Sequence, residues 1–252
     1  MSFDVTAAAY GRFIGRYSEP LARQTAALLD LQPGQRVLDV GCGPGALTAV
    51  LAETLGRPAV AAVDPSESFV AAVRSRLPEV DVRRAPAEDL PFEDDRFDAA
   101  AAQLVVHFMS DPVTGLAEMR RVTRPGGLVT ACVWDYGSGG GPLSTFWRAA
   151  READPDVEDE SERAGAREGH LGELFTQAGF HDVELPVLRV RSHFASFEEW
   201  WEPYTLGVGP AGAYVGGLAA AARDALRDRC RALMPDAPFD VEAVAWAAVG
   251  RA

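Results

Sequence analysis

The chain has 252 residues, of which 48% are hydrophobic and 24% are charged, as in ordinary water-soluble globular proteins. All 24 basic residues are arginine, and asparagine is also absent, which excludes a pyridoxal-phosphate lysine, a P-loop lysine and a kinase-type catalytic loop. The 37 acidic residues give a net charge of −13, which repels a phosphate backbone, so we expect no nucleic-acid partner.

Three cysteines, Cys42, Cys132 and Cys230, lie far apart and indicate a reducing compartment rather than a disulfide framework. The first four residues lack the basic-then-apolar order of a signal peptide. The uncharged stretch 205–222 contains five glycines and a proline and is too weakly apolar to span a membrane. We expect a cytoplasmic protein without membrane contact. The sequence contains no His/Cys/Asp cluster with the spacing of metal ligands, so we expect no metal site.

Residues 10–17 and 20–29 predict a helical lead-in, with apolar positions on one face. From residue 36 onwards short apolar runs alternate with amphipathic runs, which predicts a parallel sheet with crossover helices. We place strands at 36–40, 59–63, 80–84, 97–103 and 128–134, and helices at 46–55, 67–77 and 112–121. Asp111 before Pro112 indicates a helix start, and the Pro-Gly-Gly run 125–127 predicts a turn into the fifth strand.

The final third begins with a glycine-rich joint at 137–142 and a predicted helix at 143–153. The run 154–162 holds six acids in nine residues. It is either a charged lid or a solvated loop, and we favour the solvated loop. Residues 181–194 and 241–249 predict two late strands.

Between these strands lies an insertion, 196–233, in which Ser196 and Glu199 resemble a capping box and 218–233 predicts a second helix. The predicted fold is α/β, with a doubly wound, Rossmann-like, mostly parallel sheet of seven strands. It has a helical lead-in (1–30) and a helical cap (196–233) between the last two strands, within a single domain, 1–252.

The segment VLDVGCGPGA, 37–46, joins the first strand to a helix, where glycines let a ligand approach the main chain. Gly41, Gly43 and Ala46 also satisfy the dinucleotide fingerprint, so the neighbouring acids must decide. Asp39 would repel a pyrophosphate at the helix N-terminus, whereas it suits a cationic ligand. Asp64 follows 19 residues after Gly45, where a carboxylate accepts ribose hydroxyls. The pattern favours S-adenosylmethionine, which has an ammonium, a sulfonium and no phosphate.

With these residues the chain resembles class I S-adenosylmethionine-dependent methyltransferases, in the small-molecule group related to the ubiquinone and menaquinone biosynthesis enzymes. The resemblance covers residues 7–135 and is carried by five ordered segments, 37–45, 63–66, 87–92, 96–98 and 121–127. It implies a cofactor-binding core at 36–135.

The resemblance also implies roles for individual residues. The methionine end of the cofactor would lie along Gly41, Cys42, Gly43 and Gly45, with Asp39 near its ammonium. Asp64 would hold the ribose, Pro65 and Ser66 would line the adenine, and the Ala87 amide would face the ring. Many relatives have an aspartate where this chain has Pro86, so the adenine amino group is expected to find Glu88, a carbonyl or water. Gln103 would present its backbone carbonyl. Tyr10 and Arg16 would reach the cofactor carboxylate, or serve only in packing and as a surface charge.

The acceptor side is less constrained. His107, just after the fourth strand, is the candidate general base, with packing as its alternative. Trp134, Tyr136, Trp200 and Tyr204 are candidate walls of an acceptor pocket, or else core and cap packing. Cys42 lies near a helix N-terminus, but between two glycines we interpret it as a small spacer rather than a nucleophile.

The expected activity is methyl transfer to oxygen, nitrogen or carbon of a small-molecule acceptor. The alternatives are an NAD(P)-dependent oxidoreductase and a non-catalytic S-adenosylmethionine-binding regulatory protein. The sequence leaves the acceptor and the oligomeric state open.

Overall fold

An eight-stranded sheet forms the centre of the computed structural model, which describes residues 11–252. The strands are β1 (Val37–Val40), β2 (Val60–Asp64), β3 (Asp81–Arg84), β4 (Phe97–Gln103), β5 (Thr123–Trp134), β6 (His181–Glu184), β7 (Val187–Phe194) and β8 (Phe239–Arg251). The helices are α1 (Arg16–Ala27), α2 (Ala46–Leu55), α3 (Glu67–Arg76), α4 (Pro112–Val122), α5 (Ser144–Ala153), α6 (His170–Gln177), α7 (Phe197–Trp201), α8 (Gly209–Gly217) and α9 (Ala220–Leu233). A π-helical turn at Gly11–Gly15 precedes α1.

The strand order is β3-β2-β1-β4-β5-β8-β6, and β7 also pairs with β8. The pairs from β3 to β5 are parallel, while β8 runs antiparallel to β5, β6 and β7. The chain order reverses between β1 and β4, which opens a crevice at the carboxyl ends of these strands. This arrangement confirms the predicted doubly wound α/β fold.

Helices cover both faces of the parallel strands, which explains why β1 and β2 are buried along their whole length. On one face, α1, α2 and α3 contribute Ala22, Leu51 and Val73 to a buried cluster. On the other face, α4 and α6 contribute Met119 and Phe175. Because both faces are packed against helices, function is confined to the strand ends and their loops.

Two predicted boundaries were wrong. The single strand predicted at 181–194 is two strands, β6 and β7, which are separated by Leu185 and Pro186 and both pair with β8. Proline has no backbone N–H for the ladder, so the pairing is interrupted there and the sheet has eight strands rather than seven. The fifth strand begins at Thr123, not at 128, because Thr123 already pairs with Phe97 and the Pro-Gly-Gly run forms an irregularity inside the strand.

The segment between β7 and β8 contains α7, a 3-10 turn at Glu202–Leu206, α8 and α9, as the sequence predicts for a helical cap. Ser196 is the N-cap of α7, and its Oγ accepts a hydrogen bond from the Glu199 amide at 3.1 Å. The cap packs on the segment before α1 through aromatic rings, with the Phe13 and Tyr204 centroids 5.1 Å apart. In the described part of the chain, the helices are too short or too polar to cross a lipid bilayer.

Candidate active site

The glycine loop follows β1 and turns the chain into α2. The amides of Gly41 and Cys42 both donate to the Val63 carbonyl, at 2.8 and 2.9 Å, so the loop is tied to the neighbouring strand. Gly41 has a φ of +70°, and a Cβ there would lie 2.4 Å from a Val105 methyl. Gly43 has a φ of +51°, and a Cβ there would meet open space. The loop therefore leaves room for a ligand against the main chain at Gly43, while Gly41 is required by packing.

A cleft of about 320 Å³ opens beside this loop. Its lining residues are Ser18, Asp39, Gly41, Cys42, Gly43, Pro44, Ala46, Leu47, Gln103 and Leu104. They come from the lead-in helix, the glycine loop and the end of β4. The cleft thus lies at the reversal of strand order, where ligands bind in doubly wound sheets.

Asp39 is buried at the cleft, and its Oδ2 accepts a hydrogen bond from Thr48 Oγ1 at 2.6 Å. Burial, with a smaller contribution from the charge of the nearby Asp64, raises the pKa of this carboxyl to about 7 against the opposing Thr48 hydrogen bond. Within residues 11–252 no arginine forms an ion pair with Asp39. A cationic ligand group would therefore restore the ionised form that burial disfavours.

Asp64 ends β2 and connects two loops. Its Oδ2 accepts the Gly43 amide and its Oδ1 accepts the Ser66 amide, each at 2.8 Å. Burial raises the pKa of Asp64, and the two amides oppose that rise. Asp64 is not a lining residue of the cleft and contacts its wall through Gly43. Each oxygen keeps acceptor capacity for a further donor.

The remaining cofactor candidates follow β2, β3 and β4. The Pro65 carbonyl accepts the Arg84 Nε, and Ser66 Oγ lies 2.9 Å from Ser68 Oγ. Ala87 is buried. The Glu88 carboxylate accepts the Ser110 amide at 2.7 Å, so it already has a structural role before α4. An adenine contact at Glu88 would have to share this oxygen or use the other one.

Gln103 connects the sheet to the lead-in helix. Its Nε2 donates to the Ser18 carbonyl at 2.9 Å, and its buried Oε1 has no hydrogen-bond partner in the described residues. Both residues line the cleft. An unpaired buried carbonyl is costly, so Oε1 is an available acceptor for a ligand donor.

The two lead-in candidates have different outcomes. Tyr10 lies outside the described residues. Arg16 does not line the cleft: its guanidinium pairs with Glu199 at 2.9 Å and lies 4.2 Å over the Phe194 ring. The structure therefore assigns Arg16 to the contact between the lead-in and the cap, because Glu199 and Phe194 are distant in sequence and only the fold brings them to it.

A second cavity, of about 380 Å³ including its open mouth, adjoins the cleft. It is lined by Phe13, Ile14, Leu104, His107, Phe108, Trp134, Tyr136, Leu143, Glu160, Val208, Gly209 and Pro210. Leu104 lines both spaces and has a φ of +62°, a strained value for a leucine. This residue stands between the glycine cleft and the cavity.

Of the acceptor candidates, His107, Trp134 and Tyr136 are brought together in this cavity. Trp200 and Tyr204 are not among its lining residues. They line a separate space of about 220 Å³, together with Arg16 and residues of the lead-in. Both rings are buried in the aromatic cluster under the cap. The positions of Trp200 and Tyr204 therefore fit the alternative interpretation, in which both rings pack in the core and the cap.

His107 is buried, and its Nδ1 has no hydrogen-bond partner within residues 11–252. Burial and the positive charge of Arg163 lower the pKa of its imidazole to about 3. The ring is therefore neutral near pH 7. A neutral imidazole with such a low pKa is a weak proton acceptor, which argues against His107 as the principal base.

Glu160 is the polar residue of the cavity that the sequence interpretation missed. It is 2% exposed, and its Oε2 accepts a hydrogen bond from Trp147 Nε1 at 3.2 Å. Burial raises the pKa of its carboxyl to about 7. The expectation of a solvated loop at 154–162 was wrong for Glu160, since six acids in nine residues carry no signal of which one turns inward. Val157, the apolar residue of the run, packs against the core and was the available hint.

Cys42 is buried, and its thiol pKa is raised well above its usual value by burial and by the charges of Asp39 and Asp64. A raised pKa removes the thiolate that a nucleophile needs. The burial of Cys42 and its raised thiol pKa thus favour the interpretation of Cys42 as a small spacer.

Comparison with known proteins identifies a match to the segment that contains the glycine loop. Residues 38–131, from β1 to β5, match the family described as "Methyltransferase domain". A solved putative methyltransferase from Bacillus halodurans superposes over 91% of this chain and 97% of its own, with a TM-score of 0.59 and 18% identity. Residues 38–131 therefore match a methyltransferase domain, and the fold is that of the solved methyltransferase.

Curated proteins are also similar to part of this chain. A "Demethylmenaquinone methyltransferase" of Mycobacterium sp. (strain KMS) is 42% identical over 111 residues, 44% of this chain and 46% of the relative. An "Uncharacterized 37.1 kDa protein in transposon TN4556" of Streptomyces fradiae is 35% identical over 161 residues, 60% of this chain and 45% of the relative. Each alignment thus spans less than half of the relative's length.

Proposed function

We propose that the protein transfers a methyl group from S-adenosylmethionine to oxygen, nitrogen or carbon of a small-molecule acceptor. The observation that carries the proposal is Asp39, a buried carboxyl at a glycine-walled cleft with no ion-pair partner among the described arginines. The ammonium or sulfonium of S-adenosylmethionine supplies the missing positive charge. Asp39 and the glycine loop lie within residues 38–131, which match a methyltransferase domain, and this match supports the same ligand.

The residues present fit this cofactor. Open space beside the Gly43 Cα leaves room for its methionine end along the loop. The Asp64 carboxylate, held by two amides, retains lone pairs for the two ribose hydroxyls. Pro65, Ser66, Ala87 and Glu88 follow the neighbouring strands β2 and β3, where the adenine would lie. The orphaned Gln103 Oε1 offers one further acceptor.

When bound, the cofactor supplies a methyl group on an already activated leaving group. The protein then has to align the acceptor with the methyl group and keep water out. The walls of the 380 Å³ cavity are mostly apolar, which disfavours water beside the acceptor, and Leu104 gives the two ligands a common boundary. Trp134 and Tyr136 provide flat apolar surface for the acceptor.

Two other functions make different predictions. An NAD(P)-dependent oxidoreductase would have to bind a pyrophosphate next to Asp39, where the carboxylate repels it. A non-catalytic regulatory protein would bind S-adenosylmethionine without transferring its methyl group. Binding of NADH in place of S-adenosylhomocysteine would support the oxidoreductase. Binding of S-adenosylmethionine without methyl transfer to any acceptor would support the regulatory protein.

Isothermal titration with S-adenosylhomocysteine tests the proposal. We expect saturable binding to the wild-type chain and about tenfold weaker binding to Asp64→Asn, which loses the charged acceptor for the ribose. The control is Asp224→Asn on the exposed face of α9, which should bind as the wild type does. Absence of binding to the wild type would refute the proposed cofactor, and unchanged affinity in Asp64→Asn would remove Asp64 from the site.

We also propose one domain, 1–252, built from the lead-in (1–30), the cofactor-binding core (36–135) and the cap (196–233). The cap would contribute to acceptor specificity, because Val208, Gly209 and Pro210 line the cavity that contains His107 and Glu160. The cytoplasmic location stays a prediction from cysteine usage.

A further inference from the structure

The acceptor cavity has an uneven distribution of polarity. Most of its walls are aromatic or aliphatic, whereas Glu160 and His107 bring two ionisable side chains to it. Both side chains are buried in the protein, at 2% and 6% exposure. Buried polar groups of this kind are costly unless a partner satisfies them, so their presence in an apolar cavity points to a ligand.

Both groups have unused hydrogen-bonding capacity. The Glu160 carboxyl accepts a hydrogen bond from Trp147 Nε1, which fixes the carboxyl and leaves acceptor sites on both oxygens. His107 Nδ1 has no partner within residues 11–252. A ligand hydroxyl can donate to the carboxylate and accept from the imidazole when the imidazole proton is on Nδ1.

The charge beside the cavity distinguishes a hydroxyl from an amine. Arg163 Nη1 donates to the His107 carbonyl at 3.3 Å, and its positive charge acts on both His107 and Glu160. A cation at this place repels an ammonium ion and stabilises an oxygen that is losing its proton. The acid of the cavity is therefore better suited to a hydroxyl than to a protonated amine.

We propose that Glu160 is the proton acceptor for the hydroxyl group of an otherwise apolar, aromatic acceptor bound in the cavity of Trp134, Tyr136 and His107. This inference rests on the proposed methyl transfer and narrows it to oxygen. The hydroxyl oxygen forms a bond to the methyl carbon as the carbon–sulfur bond breaks and its electron pair goes to sulfur. The hydroxyl proton goes to the Glu160 carboxylate, so charge and atoms balance.

Burial favours the role of Glu160 in proton transfer. Its pKa of about 7 means that a large fraction is ionised near neutral pH, and that the protonated form is stable enough to be formed. By contrast, the imidazole of His107, with a pKa of about 3, holds a proton poorly. His107 is accordingly a positioning residue in this proposal, and Glu160 the catalytic one.

A pair of phenyl probes tests the hydroxyl contact without relying on turnover. We expect para-cresol to bind the wild-type chain, with S-adenosylhomocysteine present, about tenfold more tightly than para-methylanisole, which lacks the hydroxyl proton. Glu160→Gln should reduce this preference to about twofold, because a neutral amide oxygen accepts a hydrogen bond more weakly than a carboxylate does. Glu158→Gln is the matched control, since Glu158 is an exposed acid of the same run, and it should keep the full preference.

Equal affinity of the wild type for both probes, or an unchanged preference in Glu160→Gln, would overturn the proposal. Tighter binding of benzylamine than of para-cresol, abolished in Glu160→Gln, would overturn the hydroxyl assignment in favour of a cationic acceptor. Titration with S-adenosylhomocysteine separates this inference from the proposed function, because Glu160 does not line the glycine cleft. Wild-type-like binding of that ligand by Glu160→Gln also shows that the variant is folded.

Discussion

Gly41 and Gly43 differ in the space that surrounds the position where a Cβ would lie. At Gly41 the space is filled by Val105, whose methyl would lie 2.4 Å from a new Cβ. At Gly43 the space is open and belongs to the cleft. Both residues have a positive φ, so a substitution by alanine carries the same kind of backbone cost at each.

This difference predicts distinct consequences for two neighbouring variants. Gly41→Ala should lower the free energy of unfolding by about 2 to 4 kcal/mol, from overpacking against Val105 plus the backbone cost. Gly43→Ala should lower it by only about 1 kcal/mol but weaken S-adenosylhomocysteine binding at least as much as Asp64→Asn does. Urea denaturation and calorimetric titration of both variants measure the two effects. A similar stability loss in both variants would contradict the assigned role of Val105.

Among the helices, α4 shows how a local signal determines where a helix begins. Asp111 Oδ1 accepts the Thr114 amide at 3.1 Å, and Pro112 occupies a first-turn position that needs no donor. The helix then packs Leu116 and Met119 into the sheet. It also follows the short turn that carries His107, so its start helps to set the wall of the cavity.

We expect Asp111→Ala to reduce the free energy of unfolding by about 1 kcal/mol, because the Thr114 amide loses its cap. Asp111→Ser, which retains a capping oxygen, should recover most of that loss. Chemical denaturation of the three proteins at one pH provides the comparison. Equal stability of the alanine and wild-type proteins would show that water replaces this cap without cost.

For the molecule as a unit, three buried ionisable groups couple folding to protons in opposite directions. Burial raises the pKa values of Asp39 and Glu160 to about 7 and lowers that of His107 to about 3. Each carboxyl contributes stability that is present at low pH and is lost as pH rises through its folded pKa. The contribution of His107 is present above its ordinary pKa of 6.5 and is lost as pH falls through about 3.

The contribution of Asp39 can be isolated by Asp39→Asn, which keeps an acceptor for Thr48 but carries no charge. The difference in unfolding free energy, variant minus wild type, should increase between about pH 4 and pH 7 by about 2 to 4 kcal/mol, since only the wild type has to ionise a buried acid. Denaturation curves across this pH range, with Asp224→Asn as the exposed control, give the measurement. A difference that does not change with pH would mean that Asp39 ionises as freely in the folded chain as in the unfolded one.

The parallel core could be predicted from the amino-acid sequence alone. Apolar runs of strand length, the Asp111 cap and the glycine loop are signals contained within a few neighbouring residues, and the observed strands β1 to β4 lie within one residue of their predicted bounds. The order of Asp39 and the glycines is equally local, and Asp39, Gly41 and Gly43 line the observed cleft.

The acceptor side, by contrast, depends on how distant segments of the folded chain meet. Arg16 meets Glu199, and Glu160 meets Trp147 and the cavity of His107, through contacts between distant or irregular segments. The burial of a single acid within an acidic run depends on how the whole loop packs, and the charge pattern of that run is the same whether the acid points inward or outward. Partner choice across such segments is set by the packing of the complete chain, which is why Glu160 became visible only in the fold.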